Sequence, residues 1–357
     1  MENKVTPYSN LKIFAHPDRL NAIKRGEHVA PLYVRLKPTN ACNQNCDYCH
    51  YGNGKYLDLE GIDMRNQIAW DKLQEIINDM ADIGVKAVTF SGGGEPLVYP
   101  NIVSAMQLVL EKGIDLSIIT NGQCLKGKNA EILTKAKWVR VSLDAAKAET
   151  YAKIRGVSLQ VFDEICHNLK SFAQTKVAGC ELGVNFVIGQ DNVGEIYETG
   201  KLVKALGANH IKFSARMSSD TVRYHESIKV EANAQILRLQ KECGDSSFSV
   251  INIYDSDFDI CTAFSRKYAH CVVKDVVTVV AADSKVYFCH DKAYLPSGVI
   301  GDLQDRSLKE LWFAPETIEK FKKFDASKEC CHHCAYDDRN VLVNAFLALD
   351  DQHINFI

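Results

Sequence analysis

Six times between residues 32 and 214 a short apolar run is followed by an amphipathic stretch, and this alternation limits the fold more than any other feature. The apolar runs are Leu32–Leu36, Ala87–Ser91, Leu116–Thr120, Trp138–Leu143, Leu182–Ile188 and His210–Ser214. They are rich in Val, Ile, Phe and Leu and end at polar or Gly residues, as buried parallel strands do. Between them Ala69, Leu73, Ile76, Ile77, Met80 and Ile83 recur at helical steps, as do Phe162, Ile165, Leu169 and Phe172. Ile196, Val203 and Leu206 continue the pattern up to a helix stop at Gly207. Serial βα units predict an α/β fold with a parallel sheet, either an open barrel or a doubly wound sheet. The pattern alone leaves both open.

A chain of 357 residues suits one large α/β domain plus an appendage. Its net charge of −3 gives no electrostatic reason to expect long nucleic acid as the main partner. No apolar run reaches the roughly 18 residues needed to cross a bilayer. The polar stretch Met1–Asn10 has no signal-peptide core, so a cytoplasmic protein is expected. In that compartment 13 cysteines point to metal or redox chemistry rather than disulfides.

Three of them, Cys42, Cys46 and Cys49, follow the first apolar run in a C-x3-C-x2-C pattern, with Tyr48 just before the last. Three thiolates on one loop can hold three corners of a cubane iron–sulfur cluster and leave the fourth iron without a protein ligand. A three-cysteine zinc site is the other reading of this spacing. Glycines cluster after the second run, in Ser91-Gly-Gly-Gly-Glu-Pro96, where backbone can approach a ligand closely. Thr120-Asn121-Gly122 follows the third run and Ser142-Leu-Asp144 closes the fourth, with Arg155 shortly beyond and Asn185 in the middle of the fifth.

A second set lies near the C-terminus. Cys271 and Cys289, separated by 17 residues, flank a predicted hairpin of Val276–Ala282 and Lys285–Phe288 turning at Asp283-Ser284. A helix-like Leu308–Trp312 precedes Cys330-Cys331-His332-His333-Cys334. A cysteine pair plus a C-x2-C makes a four-thiolate site for zinc or an iron–sulfur cluster, and His290, His332 and His333 add zinc-type donors.

The triad together with the glycine-Glu-Pro segment resembles the signature of the radical S-adenosylmethionine (radical SAM) enzymes. The tail is similar to the twitch version of the SPASM extension that many of them carry. The resemblance implies a partial (β/α)6 TIM-like barrel with a small C-terminal α+β iron–sulfur domain. It divides the chain into an N-terminal arm (1–30), a core (31–245) and an auxiliary-cluster domain (255–350). It implies SAM and a [4Fe–4S] cluster on Cys42, Cys46 and Cys49, with SAM chelating the open iron. SAM contacts are then expected from Tyr48, Gly93, Gly94, Glu95, Asn121, Ser142, Asp144 and Asn185, and from Arg155 toward the SAM carboxylate. A second, auxiliary [4Fe–4S] cluster is expected on Cys271, Cys289, Cys331 and Cys334, with Cys330 as the alternative to Cys331. The two further cysteines of a full SPASM pattern are here Asn340 and Asn344, which argues for one auxiliary cluster.

The chemistry so implied is a 5′-deoxyadenosyl radical that abstracts hydrogen from a small polar substrate such as a sugar, aminocyclitol or nucleotide-linked sugar. The auxiliary cluster would take an electron for a net dehydrogenation, and flavodoxin or ferredoxin would serve as reductant. Alternatives are a redox-neutral epimerase or dehydratase with a cysteine hydrogen donor, Cys261 or Cys330, and peptide maturation. With about 30 residues before the core, the leader-binding domain usual in peptide-maturing members is not expected. Arg216 and Asp291 are further catalytic candidates, with His210, His290 and Lys292 as other groups for the barrel mouth.

Overall fold

A computed structural model describes residues 8–52, 62–218, 220–256, 266–330, 334–350, 352 and 355. Cys261, Cys331, His332 and His333 lie outside the described residues.

Ten strands form one sheet: β1 Tyr33–Leu36, β2 Ala87–Phe90, β3 Asp115–Thr120, β4 Trp138–Ser142, β5 Glu181–Ile188, β6 His210–Ala215, β7 Ser249–Asn252, β8 Val277–Val280, β9 Lys285–Tyr287 and β10 Val299–Asp302. From β1 to β7 they pair in parallel in chain order. The six predicted runs are six of these strands, each within a residue or so of its expected ends. β7 escaped prediction because Ser249–Asn252 offers only Val250 and Ile251 to a half-exposed edge.

Side-chain alternation decides between barrel and doubly wound sheet. Val34, Leu36, Val88, Phe90, Val139, Val141, Val184, Phe186, Ile211 and Phe213 join one hydrophobic core with Leu73, Ile76, Met80, Ile165, Leu169 and Phe172 of the helices. The intervening positions are Arg35, Thr89, Ser117, Arg140, Asn185 and Lys212. Because side chains alternate across a strand, these polar groups face the other way. A doubly wound sheet would need apolar residues on both faces. One helical layer outside and a polar inner face are the arrangement of an open, partial barrel.

The predicted hairpin forms, with β9 antiparallel to β8, and Ser284 takes φ 60° at the turn where a glycine would be at ease. It is continuous with the core, since β8 pairs in parallel with β1 and sets Arg35 beside Val279. The N-terminal helix Pro17–Lys24 docks Leu20 and Ile23 against Val272, Val276 and Val343. No helix among the described residues is long and apolar enough to cross a membrane.

Candidate active site

The loop after β1 is held by its neighbours rather than by its own secondary structure. Asn45 N–H donates to the Arg155 carbonyl at 2.9 Å and Asp47 N–H to the Ile154 carbonyl at 3.0 Å, at the end of the helix Ala148–Arg155. That helix stops at Gly156, whose φ of +61° and close approach to the Asn45 carbonyl exclude a Cβ. Cys42, Cys46 and Cys49 are free thiols on this loop. Among the described residues no group of three His, Cys, Asp or Glu is set to hold a single metal ion. Thiolates that each bind a separate iron at the corners of a cubane have no need to converge on one point. Partial burial raises the Cys49 thiol, so positive charge from bound metal is what would keep it ionised.

Ser91–Pro96 lies directly on this loop. Gly94 N–H donates to the Thr39 carbonyl at 3.1 Å and Glu95 N–H to the Ala41 carbonyl at 2.9 Å. A Cβ on Gly94 would sit 2.0 Å from the Ala41 oxygen, and one on Gly93 would sit 1.8 Å from Asn40 Oδ1. The buried Glu95 carboxylate accepts from Thr120 Oγ1 (2.6 Å), Asn121 N (2.7 Å) and Leu97 N (3.0 Å). Its side chain therefore braces β2 against β3, and what it offers a ligand is backbone. Asn121 in turn donates to Asn43 Oδ1 at 2.7 Å, tying the third strand's loop to the cysteines.

Beneath the loop is a buried charge cluster. Asp144 accepts from Tyr48 Oη at 2.5 Å and Val187 N at 2.9 Å, and pairs with the Arg155 guanidinium. Arg155 also reaches Cys46 Sγ at 3.5 Å and lies over the Tyr48 and Tyr151 rings. Three buried polar atoms near this end of the barrel have no partner: Arg155 Nε, Asn185 Oδ1 and Ser91 Oγ. Ser142 pairs in register with Asn185 across β4 and β5. Open donors and acceptors around a glycine cradle and a three-thiol loop fit SAM on a [4Fe–4S] cluster.

Arg216 also belongs to this end. It pairs with Asp47 at 2.9 Å and lies over the Tyr48 ring. His210 does not reach the barrel mouth: as the first residue of β6 it sits at the N-terminal ends of the strands, beside Tyr8 (3.3 Å) and Glu181 (3.4 Å).

Cys271, Cys289, Cys330 and Cys334 line one cavity of the C-terminal part, and Asp291 and Lys292 share its wall. Burial raises all four thiols, Cys271 to about 11 and Cys334 to about 12. The donor set fits an iron–sulfur cluster. The buried Asn340 donates from Nδ2 to Cys271 Sγ at 3.4 Å and accepts from Val273 N, so it stands at a thiol as a hydrogen-bond donor. Asn344 instead donates to the His270 carbonyl at 2.9 Å.

The two thiol sets meet through aromatic residues. Tyr294, beyond Cys289, donates to Asn40 Oδ1 at 2.6 Å, two residues before Cys42. Its ring stands edge-on to Tyr51, two residues past Cys49, with centroids 5.6 Å apart. Tyr51 accepts from Lys37 Nζ at 2.8 Å. Burial, with the charges of Arg35, Lys37, His50 and Arg140, holds His290 well below its usual value. Sequence reasoning missed Arg35, Lys37 and Arg140. The available signal was a charge at alternate positions of otherwise apolar strands.

The model of the radical SAM superfamily matches residues 36–203, and that of an iron–sulfur cluster-binding domain, SPASM, matches residues 271–335. The chain thus carries a radical SAM domain followed by a C-terminal SPASM domain. These domains bring SAM with a [4Fe–4S] cluster and auxiliary iron–sulfur binding. The chain is 24% identical to the AdoMet-dependent heme synthase of Methanosarcina barkeri (strain Fusaro / DSM 804), over 86% of its own length and 89% of that protein. It is 21% identical to the PqqA peptide cyclase of Gluconobacter oxydans (strain 621H), over 87% and 84% of the two chains. Among solved structures, Streptococcus suis SuiB bound to S-adenosylmethionine shares the fold with a TM-score of 0.63 at 18% identity, covering 90% of this chain and 75% of that one.

Proposed function

We propose that this protein oxidises a carbon–hydrogen bond of a substrate held between two iron–sulfur clusters. The observation that carries this is the direct contact of the two cysteine loops through Tyr294, Asn40 and Tyr51. Cys42, Cys46 and Cys49 would hold the first cluster. The backbone of Gly93, Gly94 and Glu95, with Asn121, Ser142, Arg155 and Asn185, would hold SAM. Asp144 and Tyr48 keep the Arg155 guanidinium in place. Cys271, Cys289, Cys334 and one of Cys330 and Cys331 would hold the single auxiliary cluster. When bound, SAM and the clusters supply a 5′-deoxyadenosyl radical that takes a hydrogen atom and a sink for the electron the substrate then gives up. The chain's own part is to present one carbon to that radical and to exclude water.

A peptide side chain is the substrate that the relatives' activities support best, since PqqA peptide cyclases recur among them. A small polar alcohol, such as a sugar or aminocyclitol, is the second reading. The polar inner face favours it, where Asn185 Oδ1 is buried without a partner. Flavodoxin or ferredoxin would deliver the initiating electron. The test is anaerobic turnover of candidate peptides and polyols deuterated at carbon. Deuterium in 5′-deoxyadenosine and a product lighter by two hydrogens are expected. A product of unchanged mass that gains solvent deuterium would contradict oxidation and favour a thiol donor such as Cys330 or Cys261.

A further inference from the structure

Three residues, Arg35 on β1, Lys37 just past its end and Arg140 on β4, carry cations toward His290. Arg35 lies between Val34 and Leu36, which join the helical core, so it faces the barrel interior, and Lys37 follows at the same parity. Arg140 lies between the core residues Val139 and Val141 and faces inward likewise. All three bear electrostatically on His290.

Lys37 is the decisive group, with no solvent exposure at all. Its Nζ donates to Tyr51 Oη at 2.8 Å and lies 4.4 and 4.8 Å from the centres of the Tyr51 and Tyr294 rings. Among the described residues it has no carboxylate at ion-pair distance. Asp283 at the turn between β8 and β9, Asp291, and the Cys49 thiol bear on it at longer range. Asp283 is already engaged, accepting from Tyr287 Oη at 2.6 Å and Lys285 N at 3.2 Å. Arg35 Nε and Arg140 Nε are buried without a partner. Rings and a phenol solvate a cation weakly, and a buried charge without a counter-charge is costly. A ligand that brings negative charge removes that cost, and two guanidinium forks with an ammonium suit carboxylate or phosphate oxygens.

We infer that the substrate carries a carboxylate or phosphate group, and that Lys37, Arg35 and Arg140 seat this group inside the barrel. The inference rests on the reading of a substrate held between the clusters. It adds the handle by which the substrate is gripped. Such a handle lies away from the reacting carbon, and binding energy spent there fixes which hydrogen meets the radical.

The test uses the full chain, reconstituted without oxygen and loaded with SAM. Thermal midpoint and calorimetric binding are followed with inorganic pyrophosphate and, separately, succinate. Wild-type protein is expected to bind one of them saturably and to melt higher in its presence. Preference for pyrophosphate points to a phosphorylated substrate, and preference for succinate to a carboxylate. Lys37→Met is expected to melt higher than wild type without anion, because the unpaired charge is gone, and to bind the anion at least tenfold more weakly. Arg140→Gln, a milder change should Lys37→Met fail to fold, is expected to weaken binding several-fold. Absence of saturable binding by wild type, or binding that both variants retain, overturns the anion seat. Failure of wild type to make 5′-deoxyadenosine from SAM and reductant instead overturns the underlying radical reading, so the two failures are told apart.

Discussion

Asn340 donates a hydrogen bond to the sulfur of Cys271 at a position where a full SPASM pattern would have a further cysteine. The residue that replaces a ligand has thus become a donor to a remaining one. Hydrogen bonds to cluster sulfurs drain negative charge and make reduction easier. Asn340→Ala should therefore leave iron content unchanged and lower the auxiliary cluster's reduction potential by on the order of tens of millivolts. A redox titration followed by electron paramagnetic resonance reads this directly, and an unchanged potential would remove Asn340 from the tuning of the cluster.

The Arg155–Asp144 pair is almost wholly buried, with side-chain exposures of 5% and 0%. Removing one member leaves the other charged and unpaired, which costs about 3–5 kcal/mol. Asp144→Ala should lose that much in anaerobic denaturation. It should also bind SAM more weakly than Asp144→Asn, which still accepts from Tyr48 and Val187. Equal stability of Asp144→Ala and wild type would show the pair to be solvated.

Gly94→Ala would place a methyl group 2.0 Å from the Ala41 carbonyl, and backbone there has no room to yield without moving the cysteine loop. Reconstituted Gly94→Ala should lose roughly half its iron and the corresponding visible absorption while keeping the auxiliary cluster. Full iron content in this variant would mean that the two loops are not coupled.

Much of this was legible because it depends on local chemistry. Strands β1 to β6 announced themselves by apolar runs, and Cys42, Cys46 and Cys49 by spacing alone. What could not be read is what depends on distant pairing. Nothing near Val277–Val280 says that it will lie beside β1, because a parallel neighbour leaves no mark in the intervening sequence. Glu95 is expected as a SAM contact, and only the fold shows that its carboxylate is taken up by Thr120 and Asn121 from the next strand, which leaves its backbone to face a ligand. Nothing in the sequence singles out Lys37, just past the end of β1. Only the arrival of Tyr51 and Tyr294 on either side makes it buried.

A pH effect follows from His225, which is buried between Tyr254 Oη (2.8 Å) and the Arg216 carbonyl (2.9 Å). Burial, aided by the Arg216 charge, keeps its pKa below the ordinary 6.5, although the carbonyl pulls the other way. The unfolded chain binds a proton near 6.5 while the folded chain resists it, so this contribution is complete above that value and is lost as pH falls below it. The thermal midpoint between about pH 7.5 and about pH 5.5 should fall less in His225→Gln than in wild type. An identical slope would exclude His225 as a contributor.

The most direct measurement is 5′-deoxyadenosine formation from SAM and dithionite by the reconstituted protein, compared among wild type, Cys46→Ala and Cys289→Ala. Wild type should form it and Cys46→Ala should not. Cys289→Ala should still form it but yield no oxidised product. Formation by Cys46→Ala at the wild-type rate would contradict a SAM-cleaving cluster on Cys42, Cys46 and Cys49.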